Sequence, residues 1–254
     1  MSKYPKHWRI NAAAAHLVPP PTEAREWYRI RNAASADTAE VIIYDEIGEW
    51  GVTAKNFIDD LNQVRAGNID IRLNSGGGSV FEGLAIYQAL RRHPANITTY
   101  IDGIAASIAS IIAMAGDRRV ISRNGSMMIH EASGLAAGNA QDMREMADVL
   151  NRLSQNLADV YAHRTGNGTA DSWREQMVAE TWFVGAEAVA AGLATETDDQ
   201  DDVTAWAPFA QWSKQQPAAE IEWQRTVAKL LTEGHRAPDR PIELFPNNHP
   251  HRNR

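Results

Sequence analysis

The stretch Ile69-Asp70-Ile71-Arg72-Leu73-Asn74-Ser75-Gly76-Gly77-Gly78-Ser79-Val80 changes its periodicity halfway. Ile69, Ile71 and Leu73 alternate with polar residues, as in a half-buried strand. Gly76 to Gly78 then break the pattern. From Ser79 to Arg92 the apolar positions Val80, Leu84 and Tyr87 follow helical spacing, and His93-Pro94 ends the run. A strand passing through a glycine turn into a helix is the first half of a βαβ unit, and the same alternation extends both ways. Upstream, Val41 to Tyr44 is a β-branched strand, followed by a helix capped by Thr53 with Phe57, Leu61 and Val64 on one stripe. Downstream, strands are expected at 97–101, 119–121 and 127–130, with 105–115 a buried helix of small residues. A long helix is expected from about 140 to 163, its apolar face made by Met143, Leu150, Leu153, Leu157, Val160 and Tyr161. Shorter helices follow at 170–179 and 186–191, the last stopped by Gly192. This order predicts an α/β fold with a parallel sheet flanked by helices.

The 254 residues suffice for one sizeable core plus extensions. Residues 1–38, with Pro19 to Pro21, read as an irregular arm with one short element around Trp27 to Arg31. Residues 39–197 form the domain. Residues 198–254 form an extension with an acidic run (Asp198 to Asp202), a helix at 220–231 and a disordered tail. A net charge of −7 excludes a basic field that would attract nucleic acid or anionic membrane. The absence of cysteine removes disulfides, thiolate nucleophiles and Cys-ligated metals. No apolar segment follows the charged N-terminus, and the longest apolar run, Ile104 to Ala115, is too short to span a bilayer. The expected location is the cytoplasm.

Three features carry chemistry. Ser107 sits in Asp102-Gly103-Ile104-Ala105-Ala106-Ser107-Ile108. A serine at the first turn of a helix lies near unpaired N–H groups, and the small residues before it admit a substrate backbone. Taken alone, the segment fits close helix packing better than catalysis. Among eight histidines, His7, His16, His235, His249 and His251 fall in irregular ends, His93 adjoins a proline and His163 ends the long helix. Only His130 ends an apolar strand, where its ring can be aimed rigidly. The turn Asn74 to Ser79 can present main-chain amides to a ligand oxygen, but it lacks the lysine and spacing of a phosphate loop.

In order, Asn74-Ser75-x-Gly77-Gly78, Gly103-x-Ala105-Ala106-Ser107 and Met128-Ile129-His130 resemble the Clp protease proteolytic subunit family (peptidase family S14). The resemblance runs over roughly residues 40–196, through Gly134, Gly138, Ala140, Asp142, Thr165-Gly166, Glu187-Ala188 and Gly192-Leu193. It implies a Clp-protease/crotonase-like spiral of βαβ units whose long helix is a protruding handle joining two heptameric rings. It implies Ser107 as nucleophile and His130 as general base. Gly77 and Ile108 would supply oxyanion amides, with Gly78 and the strand after Ile121 docking an extended polypeptide. Neither a metal nor an organic cofactor is required. The family's aspartate is replaced: alignment on Glu187-Ala188 and Gly192 puts Glu180 at the third triad position, or Thr181 if it slips by one.

Trp27-Tyr28-Arg29-Ile30-Arg31, Tyr44 to Gly48 with Trp50-Gly51, and Glu180-Thr181-Trp182-Phe183 resemble the Clp-like head-maturation proteases of tailed phages. That resemblance implies capsid and scaffold substrates inside a prohead. A general ATP-dependent subunit working with an unfoldase is the main alternative. A crotonase-like CoA enzyme fits less well because Ser107 and His130 would have no role there. An inactive assembly scaffold draws support from the Glu180 departure.

Overall fold

A computed structural model of the chain describes residues 28–32, 37–48, 53–134 and 136–198. These fall within the first of two units, Met1–Trp206. The Pro-rich stretch, the acidic run past Asp198, the 220–231 helix and the tail lie outside the described residues.

Strands β1 (Tyr28–Asn32), β2 (Thr38–Ile43), β3 (Asn68–Ser75), β4 (Asn96–Ala106), β5 (Arg118–Ser122) and β8 (Glu196–Asp198) lie side by side in that order. All neighbouring pairs are parallel except β1 with β2. Strand β6 (Ser126–Ile129) pairs parallel to β4, and β7 (Thr181–Val184) pairs antiparallel to β6. The sheet expected to be parallel is therefore mixed. The short element expected near Trp27 to Arg31 is β1, so the sheet begins before residue 39. The antiparallel strands are short, and β7 carries a single buried side chain, Phe183, so neither shows a long period-two pattern.

Helices α1 (Ala54–Leu61) and α2 (Val80–Arg92) precede β3 and β4, α3 (Ile108–Ala113) follows β4, and α4 (Ala140–Thr165), α5 (Ala170–Val178) and α6 (Ala186–Ala190) complete the order. One face of the sheet buries Val41, Ile43, Ile69, Ile71, Leu73, Ile97 and Ile101 in the core with Phe57, Ile86 and Leu90. The alternate residues Glu40, Asp70 and Arg72 stay half-buried. Burying a Leu or Ile side chain contributes about 1.5–3 kcal/mol, so this alternation is what fixes the register of β2, β3 and β4.

Strand β4 positions the site. Leu73 pairs with Ile101, but Ser75 pairs with Ala105, so β4 bulges over Asp102 to Ile104. Asn74 Oδ1 accepts the freed Ile104 N–H at 3.2 Å. A Cβ on Gly103 would lie 2.6 Å from that oxygen, so a larger residue there would displace the Asn74 amide. At the bulge β4 changes partners: Thr98–Ile101 pair with β5, and Ile104–Ala106 pair with β6. Residues 105 and 106, expected in a helix, therefore remain strand because the ladder to β3 and β6 outweighs the helix propensity of alanine. On the other side of the bulge, Asp102 accepts from Tyr44 OH at 2.5 Å and from Arg72 Nε at 2.9 Å. Burial pushes the Asp102 carboxyl above its usual range against the pull of Arg72, and pushes the Tyr44 phenol up too.

The 26 residues of α4 extend about 39 Å at the usual helical rise. A capping box between Asn139 and Asp142 starts the helix, and Gly166 at φ 63° ends it. Ser154, Leu157, Ala158 and Tyr161 bury one stripe at i, i+3, i+4 and i+7. Of the expected apolar face only Leu157 and Tyr161 are fully covered. Leu150, Leu153 and Val160 are half-buried and Met143 is exposed.

Candidate active site

Ser107 is the single residue between β4 and α3, and it adopts φ 54°, ψ −129°. A non-glycine residue in that region is strained and persists only when its surroundings hold it. Here they do. Its N–H donates to Met128 O at 2.9 Å, and its carbonyl accepts the Ser110 N–H at 3.0 Å. The consequence is a sharp strand-to-helix turn that presents the hydroxyl beside β6.

Strand β6 stops at Ile129, and His130 follows it directly. Because β6 runs parallel to β4 with Ala106 opposite Met128, Ser107 comes level with Ile129, and His130 stands one residue further along the same edge. His130 Nε2 and Ser107 Oγ are 2.7 Å apart. If Nε2 accepts that bond, the neutral imidazole carries its proton on Nδ1. The chain beyond His130 is anchored to the helices: Arg174 pairs with Glu131 and donates to Asn151 O at 3.0 Å, and Ala132 N–H donates to Ser154 Oγ at 2.9 Å.

The glycine turn lies against the same serine. Gly77 has φ 104°, and a Cβ there would come within 2.7 Å of Ser107 Cβ, 2.8 Å of Ala106 O and 3.2 Å of Ile108 N. Gly78, at φ 142°, would meet Ile47 O at 2.1 Å. The turn is held by Ile47, whose N–H donates to Gly77 O and whose carbonyl accepts the Ser79 N–H, each at 2.7 Å. The Gly77 N–H donates to Ser75 Oγ at 3.2 Å. Among the described residues the Ile108 and Gly78 N–H groups have no acceptor. Ser107, His130, Ile108 and the Gly77–Gly78 turn, all singled out in the sequence, are thus brought together.

Glu180 is placed differently. It sits in the turn from α5 to β7 with φ 50°, one residue before Thr181, which pairs with Ile129. It is therefore next to His130 in register, but its side chain is exposed and no hydrogen bond joins it to the imidazole. Thr181 Oγ1 donates to Gln176 O at 2.7 Å and is likewise not engaged with His130. Among the described residues no group of three His, Asp or Glu side chains forms a metal site, and no helix is long and apolar enough to cross a membrane.

Two residues read from sequence only as packing belong to the surroundings of the site. Ser110 Oγ donates to Ser107 O, and Tyr161 OH lies 2.7 Å from Ser110 Oγ. Their apolar neighbours give no periodicity cue to this role.

The chain matches the family model described as Clp protease over residues 23–200. It is similar to ATP-dependent Clp protease proteolytic subunit 1 of Leifsonia xyli subsp. xyli, 32% identical over 128 residues, covering 50% of this chain and 64% of that one. It is also similar to the ATP-dependent Clp protease proteolytic subunits of Deinococcus radiodurans and Bacteroides fragilis. The first is 32% identical over 134 residues, covering 52% and 65% of the two chains. The second is 31% identical over 131 residues, covering 51% and 63%. The match spans less than two thirds of the length of each relative. With the family model covering well over half of the chain, around a serine and a histidine in hydrogen-bond contact, the chain belongs to the Clp protease family.

Proposed function

We propose that this chain is a serine endopeptidase in which Ser107 is the nucleophile and His130 the general base. The observation that carries the reading is the 2.7 Å contact between His130 Nε2 and the hydroxyl of a serine held in a strained strand-to-helix turn. His130 Nε2 takes the Ser107 proton as Oγ attacks the peptide carbonyl, and the carbonyl oxygen becomes the oxyanion. The Ile108 N–H, with an amide of the Gly77–Gly78 turn, stabilises that charge; of the two glycine amides, Gly78's is not shared with Ser75. His130 then gives its proton to the leaving amine, and the C–N bond breaks. Water, deprotonated by the same nitrogen, releases the acyl group and restores Ser107. Glu180 is assigned as the acid orienting His130 Nδ1–H, supported by its register beside the histidine.

The substrate class is polypeptide and the working form a homo-oligomeric ring, a heptamer or stacked heptamers, with the exposed N-terminal part of α4 as handle. The segments around Trp27, Tyr44, Trp50 and Glu180 to Phe183 favour phage head maturation, hence capsid and scaffold chains as substrates. The names of the similar proteins favour an ATP-dependent pairing with an unfoldase as the second reading. Labelling with a fluorophosphonate probe tests the chemistry. Wild type should label, and Ser107→Ala and His130→Ala should not; labelling that survives Ser107→Ala would refute the assignment. Stimulation of proteolysis by a Clp-type ATPase with ATP would decide for the second reading.

A further inference from the structure

Tyr161 carries a buried hydroxyl that packing does not require. The residue is 1% exposed, and its ring lies between helices, 5.5 Å from the ring of Trp173, which is in turn 6.4 Å from Phe183 of β7. A phenylalanine would fill the same space. The hydroxyl makes one hydrogen bond, to Ser110 Oγ at 2.7 Å. Ser110 is itself fully buried and donates its single proton to Ser107 O. A serine has one O–H, so the proton between the two hydroxyls comes from tyrosine. The direction of the relay is fixed: Tyr161 O–H to Ser110 Oγ, and Ser110 O–H to the carbonyl of Ser107.

That carbonyl shares one planar peptide unit with the Ile108 N–H, and in a trans unit the two bonds point in opposite directions. Two donors, the Ser110 N–H at 3.0 Å and the Ser110 hydroxyl, hold the carbonyl. Holding it therefore also aims the Ile108 N–H, which lies on the side of Gly77. We infer that Tyr161 and Ser110 are positioning residues that lock the Ser107–Ile108 peptide plane, so that the long helix α4 sets the direction of the oxyanion donor. The inference rests on the serine-peptidase reading above. It makes the handle helix an active part of the site: a displacement of α4 that withdraws Tyr161 loosens the donor without touching Ser107 or His130.

The test is the inactivation rate of the full chain with a fluorophosphonate, resolved into the maximal rate and the half-saturating concentration. Wild type is compared with Tyr161→Phe, Ser110→Ala and the double variant, all well below their unfolding temperatures. A full oxyanion donor is worth about 10²–10³-fold, so a misaimed one should lower the maximal rate roughly 10-fold, with half-saturation within about twofold. The double variant should be no slower than Ser110→Ala, because the tyrosine acts through the serine. The pH midpoint of inactivation, which reports His130, should not move. A purely structural role would lower the unfolding temperature but leave the maximal rate per folded molecule unchanged. Single variants that label at the wild-type maximal rate, or a double variant whose losses multiply, would overturn the relay. A wild type that does not label would remove the peptidase reading and the relay together, so the two failures are distinct.

Discussion

Gly77→Ala is the sharpest single test of the geometry, because the added methyl has nowhere to go. A Cβ at residue 77 would stand 2.7 Å from Ser107 Cβ and 2.8 Å from Ala106 O. That is roughly 0.8 Å short of the ~3.5 Å at which carbon atoms attract. Both obstacles are fixed parts of β4 and its turn, and the Ile47 bonds hold residue 77 from the other side. The backbone at φ 104° adds strain of about 1–3 kcal/mol for any residue other than glycine. Overpacking adds about 1–3 kcal/mol more. Against a usual stability of about 5–15 kcal/mol, the variant should fold but unfold several degrees lower. The larger effect falls on rate. Pushing Ser107 away by most of an ångström should slow fluorophosphonate inactivation by about 10²-fold, since misplacement by about 1 Å costs that much. The matched control is Gly76→Ala: residue 76 is exposed, no atom lies within 4 Å of its added Cβ, and its rate and unfolding temperature should stay near wild type. If Gly77→Ala inactivates as fast as Gly76→Ala with the same unfolding temperature, Gly77 does not back onto the serine and the reasoning is wrong.

Four further outcomes follow from the structure. If Glu180 orients the imidazole, Glu180→Gln should lower the maximal inactivation rate by about tenfold or more without shifting the unfolding temperature; a rate equal to wild type assigns the role elsewhere. Arg72→Ala strips the nearly buried Asp102 of its charge partner while leaving Tyr44, and should cost about 3–5 kcal/mol in chemical denaturation, more than Tyr44→Phe. Because the folded Asp102 carboxyl lies above its ordinary value, the folded chain keeps that proton where the unfolded chain has lost it. The resulting stability is fullest below the ordinary carboxylate pKa and drains away as pH rises to the raised one; Asp102→Asn should remove that slope. Asn139→Ala loses the cap bonds to Gln141 and Asp142 N–H, and should cost about 1 kcal/mol, read as a shift of a few degrees in thermal unfolding.

The parts of the fold readable from sequence are those set by strong local periodicity. The alternation of Ile69, Ile71 and Leu73, the helical stripe through Tyr87, and the start of α4 near Ala140 all stand where the pattern predicts. The misread boundary at Ala105 lies where alanines are locally helical but pairing with β3 and β6 is not local. Strands β7 and β8 are too short to carry a pattern. For the site, Ser107, His130 and the glycine turn are legible as an ordered set, and the structure adds their contact. The Tyr161–Ser110 relay was not legible: it joins residues 51 apart, and a tyrosine on an apolar stripe looks the same whether or not its hydroxyl has a partner. The Tyr44–Arg72–Asp102 cluster is illegible for the same reason, since Arg72 lies on β3, Asp102 on β4 and Tyr44 just past the end of β2.

The partner change of β4 has a further consequence. His130 is carried by the β6–β7 ribbon, which joins the main sheet through only three register pairs, Ile104–Ala106 with Ser126–Met128. The serine instead directly follows β4, which is paired with β3, β5 and β6. Such a ribbon can open as a cooperative unit of its own, at a free energy below that of the whole domain. Its amides should exchange with solvent faster than those of β3 and β4, and heating should abolish labelling before the main sheet melts. On the proposed reading, probe labelling and global stability are separate quantities in this chain, and the ribbon sets the first.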